Sequence, residues 1–423
     1  MYFLGIDFGT TGARACVIDA NGVIAAEDAR DFGEPPDDAQ ADVWRDALRD
    51  LVASLPVALR QRLSAIAIDG TSGTVLACDT ALDPCHPPLL YADDRAAAEA
   101  ALIRTIATPG HPAGAATSGL AKVLWLRKHL GPAGGACRFL NQADWLCALL
   151  SGRTGVTDYH NALKLGLDLD TLRWPAWIDR LADAGCLPTP IAPGTAFATL
   201  SPARARELGV NPECTVRAGT TDSIAAFLAA GASESGDAVT SLGSTLVLKL
   251  LSETRVESSE HGIYSHWFGR RWLAGGASNA GGAVLRQFFD DQALATLSER
   301  IDTAHESPLD YLPLPKAGER FPVNDPALMP RLAPRPADDA EFLHGLLESL
   351  ARIEARGYAL LARLGATPAS RVQTAGGGAR NAVWTRIRER HLGIPVSPAA
   401  HTQAAYGSAR LARDGLTLFQ PRD

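Results

Sequence analysis

The sequence predicts an α/β protein built from two related domains. Three observations carry this expectation. The chain has 423 residues, enough for two or three domains at roughly 150 residues each. Strand-like apolar runs alternate with segments of helical spacing. And one short pattern, a strand, a turn of glycine with hydroxyl residues, and a second strand, opens each half of the chain. Its first glycine falls at Gly9 and again at Gly243, 234 residues later. The echo predicts two domains facing each other across a cleft.

The elements follow in order. Residues 2–8 and 13–19 read as strands around the turn 9–12, and 20–22 supplies a second tight turn before an apolar stretch. Residues 41–55 carry apolar side chains at 43, 44, 48, 51 and 52, which is helical spacing. Residues 63–69 form a buried-strand pattern that ends in Asp69-Gly-Thr-Ser-Gly73. The stretch from about 95 to 200 reads as mostly helical, broken by Gly and Pro. Residues 215–219 lead into Thr220-Thr-Asp222 and an apolar run. Residues 238–251 then repeat the opening pattern around Gly243-Ser-Thr245. Eight prolines between 308 and 336 predict loop or extended surface segments. Asp338 or Asp339 is placed to cap a helix ending near Gly365. Residues 372–378 read as a strand into a glycine turn, and 381–391 as a helix. The domain boundary is expected near 228.

Composition excludes several functions. The net charge is −7 at pH 7 and the pI near 5.8, against a main task of gripping nucleic acid or an anionic membrane. Of 40 basic residues only five are lysine, leaving 35 arginines, and no Gly-Lys dipeptide exists. A Walker A loop is therefore impossible, so any nucleotide phosphates must be held another way. The seven cysteines include no Cys-x-x-Cys pair, which fits free thiols in a reducing compartment. No apolar stretch long enough to span a membrane and no basic leader are visible, so a cytoplasmic protein is expected.

Several residues can carry chemistry. The turn Gly9-Thr10-Thr11-Gly12 offers backbone N–H groups and two hydroxyls to a phosphate. Asp7, at the preceding strand end, can hold a magnesium ion through water. Gly243-Ser244-Thr245 offers the same donors in the second half. Gly376-Gly377-Gly378 leaves an open backbone for a planar base, with Asn381 or Trp384 able to hydrogen-bond or stack on the nucleoside. Asp222 sits at a strand-to-helix turn, where it can act as a general base or simply cap the helix. The clusters Asp69-Gly-Thr-Ser-Gly73 and Tyr91-Ala-Asp-Asp-Arg95 can bind a polyol or be solvated turns.

Taken in order, these motifs resemble those of the FGGY carbohydrate kinases. The matching pieces are Gly5–Arg14, Tyr91–Arg95, Lys122–Trp125, Gly219–Asp222, Ser241–Thr245, Gly275–Asn279 and Gly376–Asn381. The resemblance implies an actin-like (ribonuclease H-like) ATPase fold of two domains. It implies an N-terminal domain over 1–228, rejoined by a helix at 402–420, and a C-terminal domain over 229–401. It assigns Asp222 as catalytic base, Asp7 to the metal, Gly9, Thr10, Thr11, Gly243, Ser244 and Thr245 to phosphate, and Gly376, Gly377, Gly378, Asn381 and Trp384 to adenosine. ATP and Mg2+ are the implied cofactors. The segment after residue 69 departs from the common family pattern. It is similar to that of the small ribulose kinases of plants and cyanobacteria, which implies D-ribulose as substrate, with Asp7, Ser72, Asp93 and Asp222 as sugar contacts. D-xylulose, a pentitol, or an actin-like ATPase without a sugar are the alternatives. No nucleic-acid or membrane partner is implied, and the protein is expected to be a monomer or homodimer.

Overall fold

The computed structural model describes residues 1–131, 137–181 and 186–420. The chain forms two compact units. One comprises Met1–Ala229 with Gln403–Leu418, the other Ala230–Thr402 with Phe419–Asp423.

In the first unit the strand Tyr2–Phe8 lies between Gly12–Asp19, antiparallel, and Leu63–Gly70, parallel. A seven-stranded sheet results. Its order is Ile24–Asp31, Gly12–Asp19, Tyr2–Phe8, Leu63–Gly70, Thr215–Arg217, Ala196–Thr199, with Thr220–Thr221 also paired to Leu63–Gly70. The central strands are apolar on both faces because both faces are covered. On one face the helix Gln40–Ser54 buries Trp44, Leu48, Leu51 and Val52, and Trp44 meets Trp145 edge-on at 6.4 Å. Full burial of each such side chain is worth about 1.5–3 kcal/mol. The helix Ala404–Asp414 packs against the strand Tyr2–Phe8. A Cβ at Gly5 would fall 2.0 Å from the Ala409 nitrogen, so only glycine lets this helix approach.

The region 95–200 is less helical than its sequence suggests. The helices Ala97–Ile106, Gly119–Leu130, Gln142–Ser151 and Tyr159–Leu163 are present. Two small sheets accompany them: Val75–Cys78 with Arg138–Asn141, and Val156–Asp158 with Thr189–Ile191. Their strands are three or four residues long, too short to show a period of two.

The second unit repeats the arrangement. Asp237–Leu242 lies between Leu246–Ser252, antiparallel, and Arg371–Ala375, parallel. The six-stranded sheet runs Tyr264–Phe268, Arg271–Ser278, Leu246–Ser252, Asp237–Leu242, Arg371–Ala375, Val396–Pro398. The helix Asp339–Arg363 is capped by Asp338, whose carboxylate accepts from the Ala340 N–H. It buries Phe342, Leu346, Leu350 and Leu361 in this unit's core. The proline-rich segment carries only isolated bridges but inserts Tyr311 and Phe321 into the same core. Among the described residues no helix is long and apolar enough to cross a membrane.

Candidate active site

Three strand ends meet at one end of the first unit's sheet. In register, Asp7 stands beside Asp69, and Asp69 beside Thr220, two residues before Asp222. Asp69 is fully buried, Asp7 nearly so, and Asp222 half-buried. Ser408 Oγ donates to Asp69 Oδ2 at 2.5 Å from the helix Ala404–Asp414. Burial pushes the Asp69 carboxyl well above the usual carboxylate range, and the charge of Asp7 pushes the same way. Burial raises Asp7 as well, while the hydrogen bond with Asp69 and the Arg14 guanidinium pull it back. Of the pair, Asp69 is therefore the group that keeps a proton, and Asp7 the one that carries charge.

Asp222 opens the helix Asp222–Ala230, and its Oδ1 accepts from the Ser223 N–H at 2.6 Å. An N-cap accepts from a donor two or three residues ahead, so this bond is not a cap. The strand before Asp222 is braced from the side. His160 Nδ1 meets Thr220 Oγ1 at 2.7 Å, and Asn161 Nδ2 donates to the Thr220 carbonyl at 3.3 Å. Both residues are held by Asp158, which caps their short helix by accepting from the His160 and Asn161 N–H groups.

The turn after Asp69 is tied down on all sides. Gln142 Oε1 accepts from Thr71 N and Thr71 Oγ1, at 2.9 and 3.0 Å. Lys122, fully buried, donates to the carbonyls of Gly73 and Leu90 at 2.7 and 2.6 Å. It thereby joins the segment carrying Ser72 to the one carrying Asp93. Burial and the nearby Lys164 ammonium push the Lys122 pKa down to about 7. Lys164 donates to the Ser72 carbonyl at 3.1 Å. Asp93 accepts from Arg95 Nε at 2.9 Å, and Arg95 stacks on Trp125.

In the first unit's opening turn, Gly9 N–H bonds to the Gly12 carbonyl and Thr10 and Thr11 are exposed. The second unit's turn is fixed similarly: Gly243 N–H bonds to the Thr245 carbonyl, and the Gly282 N–H to the Gly243 carbonyl. Arg286 donates to Ser244 Oγ at 2.7 Å. Beside this turn opens a cavity of about 580 Å³, lined by Gly243, Gly282, Arg286, Ser298, Glu299, Gly377, Gly378 and Asn381 among others. Its size suits a nucleoside.

Gly377 and Gly378 of the glycine turn line this cavity, and so does Trp384. It is 3% exposed and lies beneath Gly378, where an added Cβ would come within 2.7 Å of the indole. Its ring packs in the second unit's core and also forms part of the cavity lining. Asn381 caps the helix Ala382–Leu392 by accepting from Trp384 N, and its Nδ2 donates to Ser298 Oγ at 2.9 Å. Asn381 thus shapes the cavity wall.

The sequence offered Asp69 only as part of a cluster that can bind a polyol, not as the neighbour of Asp7, and assigned no role to Ser408, His160, Asn161 and Lys164. For Asp69 a signal existed: two apolar strand patterns end alike in an aspartate next to a glycine-hydroxyl turn, at Asp7 and at Asp69. The others reach the site from distant segments and left no local pattern.

The doubled, actin-like α/β fold carries carboxylates at the strand ends of one unit and a nucleoside-sized cavity in the other, an arrangement open to phosphoryl transfer. The family comparison is more specific. Residues 2–229 match the N-terminal domain, and 238–413 the C-terminal domain, of the FGGY family of carbohydrate kinases, and the chain belongs to that family. A gluconokinase of Bacillus subtilis is 26% identical, over 94% of this chain and 84% of the relative. Among solved structures, a xylulose kinase from Rhodospirillum rubrum superimposes with a TM-score of 0.85 at 23% identity, covering 98% of this chain and 90% of that one. A kinase from Brucella ovis described as a xyloylose kinase gives 0.85 at 21% identity, covering 100% and 93%.

Proposed function

We propose that the protein transfers the γ-phosphoryl group of ATP to the terminal primary hydroxyl of a ketopentose, D-ribulose before others, giving D-ribulose 5-phosphate. The observation that carries this reading is the set of carboxylates at adjoining strand ends, Asp7, Asp69 and Asp222, beside a turn that presents Ser72. Asp222 is the general base: it accepts the hydroxyl proton as the sugar oxygen attacks phosphorus. Asp69, fully buried and pushed toward its protonated form, stands beside Asp7 in register and is suited to donate to it.

The residues present fit a magnesium ion. Asp7 is a charged oxygen donor at a strand end, and hard oxygen ligands suit this cation. Asp7 would hold it with the nucleotide, where it would screen the phosphate charge. The exposed hydroxyls of Thr10, Thr11 and Ser244 and the N–H groups around them are suited to phosphate oxygens, in place of a Walker lysine. The cavity beside Gly377 and Gly378 would take the adenosine, with Glu299 and Asn381 on its wall. Ser72 and Asp93 would contact the sugar.

D-ribulose rests on the resemblance of the Asp69-Gly-Thr-Ser segment. The deciding measurement is a coupled ADP-release screen over D-ribulose, D-xylulose, gluconate, pentitols and glycerol with MgATP. D-ribulose is expected to show the highest kcat/KM. A tenfold preference for any other acceptor overturns the sugar assignment, and ADP release unaffected by every sugar overturns the kinase reading.

A further inference from the structure

Lys164 is one of only five lysines in the chain, and it lies where the sugar is proposed to bind. It follows the short helix Tyr159–Leu163 as its C-cap residue. Its backbone is fixed, since the Leu120 N–H donates to its carbonyl at 2.9 Å. Its side chain lies along the turn that carries Ser72, with Nζ 3.1 Å from the Ser72 carbonyl. The ammonium also faces the Asp222 carboxylate electrostatically. Among the described residues the Ser72 carbonyl is its one hydrogen-bond acceptor. An ammonium has three donors, so two are left over. The neighbouring Lys122, by contrast, spends its donors on the carbonyls of Gly73, Leu90 and Tyr91.

The chemistry of the acceptor tells what the free donors are for. Ring closure of a 2-ketopentose joins the C5 hydroxyl to C2. A kinase acting on that hydroxyl must therefore take the open-chain form, in which the C2 carbonyl is exposed. We infer that Lys164 is a sugar-binding residue whose ammonium donates to the C2 carbonyl oxygen of a neutral, open-chain ketose, held in register by the Ser72 carbonyl. The inference rests on the ketose-kinase reading above. The charge beside it selects a neutral sugar over an acid, because a substrate carboxylate would meet Asp222 as well as Lys164.

The test compares two acceptors on purified enzyme. One is D-ribulose. The other is 2-deoxy-D-erythro-pentitol, which keeps the terminal hydroxyl and lacks any oxygen at C2. For Lys164→Met, kcat/KM for D-ribulose is expected to fall about 10–100-fold, while that for the deoxy analogue and the KM for ATP stay within about twofold. Lys164→Arg, which restores a donor, should recover part of the loss and serves if the methionine variant is poorly folded. Equal losses on both acceptors, or no loss on D-ribulose, overturn the inference, and so does a wild-type preference for gluconate over D-ribulose. Failure of the wild-type enzyme to phosphorylate any ketopentose is a separate outcome, and it overturns the underlying reading.

Discussion

Three buried acids of the second unit are paired with cations, Glu319 being held instead by Ser278 and backbone N–H groups, whereas four acids of the first unit, buried or half-buried, are not so paired. In the second unit, Glu354 receives two hydrogen bonds from Arg388 at 2.6 and 2.7 Å, with Thr240 Oγ1 and Tyr358 completing the network. Asp237 is paired with Arg371 in the same bidentate fashion. Burial works against the Glu348 charge, but His344, His391 and Arg390 hold its pKa down to about 2. In the first unit Asp7, Asp69, Asp144 and Asp158 form no salt bridge with arginine or lysine among the described residues. Asp7, Asp69, Asp144 and Asp158 are all pushed upward by burial. Arginine-paired acids tie elements together. Acids buried without a cation lose stability on folding, and they persist where something else needs them. The first unit's carboxylates are therefore where the chemistry is to be sought.

The contrast can be broken by exchanging carboxylate for amide on each side. The largest effect belongs to Asp222→Asn in the first unit. With the base removed and the shape kept, kcat should fall about 10²–10⁴-fold. The melting temperature should stay within a few degrees. The ADP-release assay with thermal melting checks both, and near-wild-type turnover would remove Asp222 from the reaction.

Glu354→Gln in the second unit should do the reverse. It leaves the Arg388 guanidinium, 1% exposed, without its charge partner. Breaking such a pair costs about 3–5 kcal/mol. Urea unfolding should show this loss, whereas an unchanged midpoint would mean that the pair is dispensable. Ligand binding is expected to survive wherever the fold does.

Much of this was legible in the sequence, and the limits have physical causes. The doubled hairpin is a local pattern, so the strands at 2–8, 12–19, 237–242 and 246–252 could be read directly. Asp7 and Asp222 were visible as candidates because Asp7 closes an apolar run before a turn and Asp222 stands at a turn before one. Their neighbourhood was not visible. That Asp69 stands beside Asp7 depends on parallel pairing between strands about 60 residues apart. That Ser408 reaches Asp69 depends on the close approach allowed at Gly5. The burial of Trp384 was likewise a tertiary outcome, since a tryptophan near a glycine turn can stack or pack equally well by sequence. Lys164 had no motif at all.

The smallest expected effect is also the sharpest probe of the comparison. Asp144, on the helix Gln142–Ser151, accepts from Asn141 Nδ2 at 2.9 Å and forms no salt bridge with arginine or lysine among the described residues. Burial, with the charge of Asp158 beside it, pushes its pKa up to about 8. In the unfolded chain an aspartate releases its proton near pH 4, so above that pH the unfolded state is the more deprotonated one. A raised folded pKa means that the contribution of Asp144 to stability is full below about pH 4 and is lost progressively as pH rises toward about 8. Asp144→Asn keeps an oxygen for Asn141 and removes the charge. It should match the wild type at pH 4 and exceed it by about 1 kcal/mol at pH 8, a modest figure because the side chain retains some solvent contact. Glu354→Gln loses stability across the same range. Parallel pH-dependent melts of the two variants would give opposite signs at pH 8. Equal signs would mean that the absence of a cation beside the first unit's acids has no energetic consequence, and the case for reading those acids as functional would fall with it.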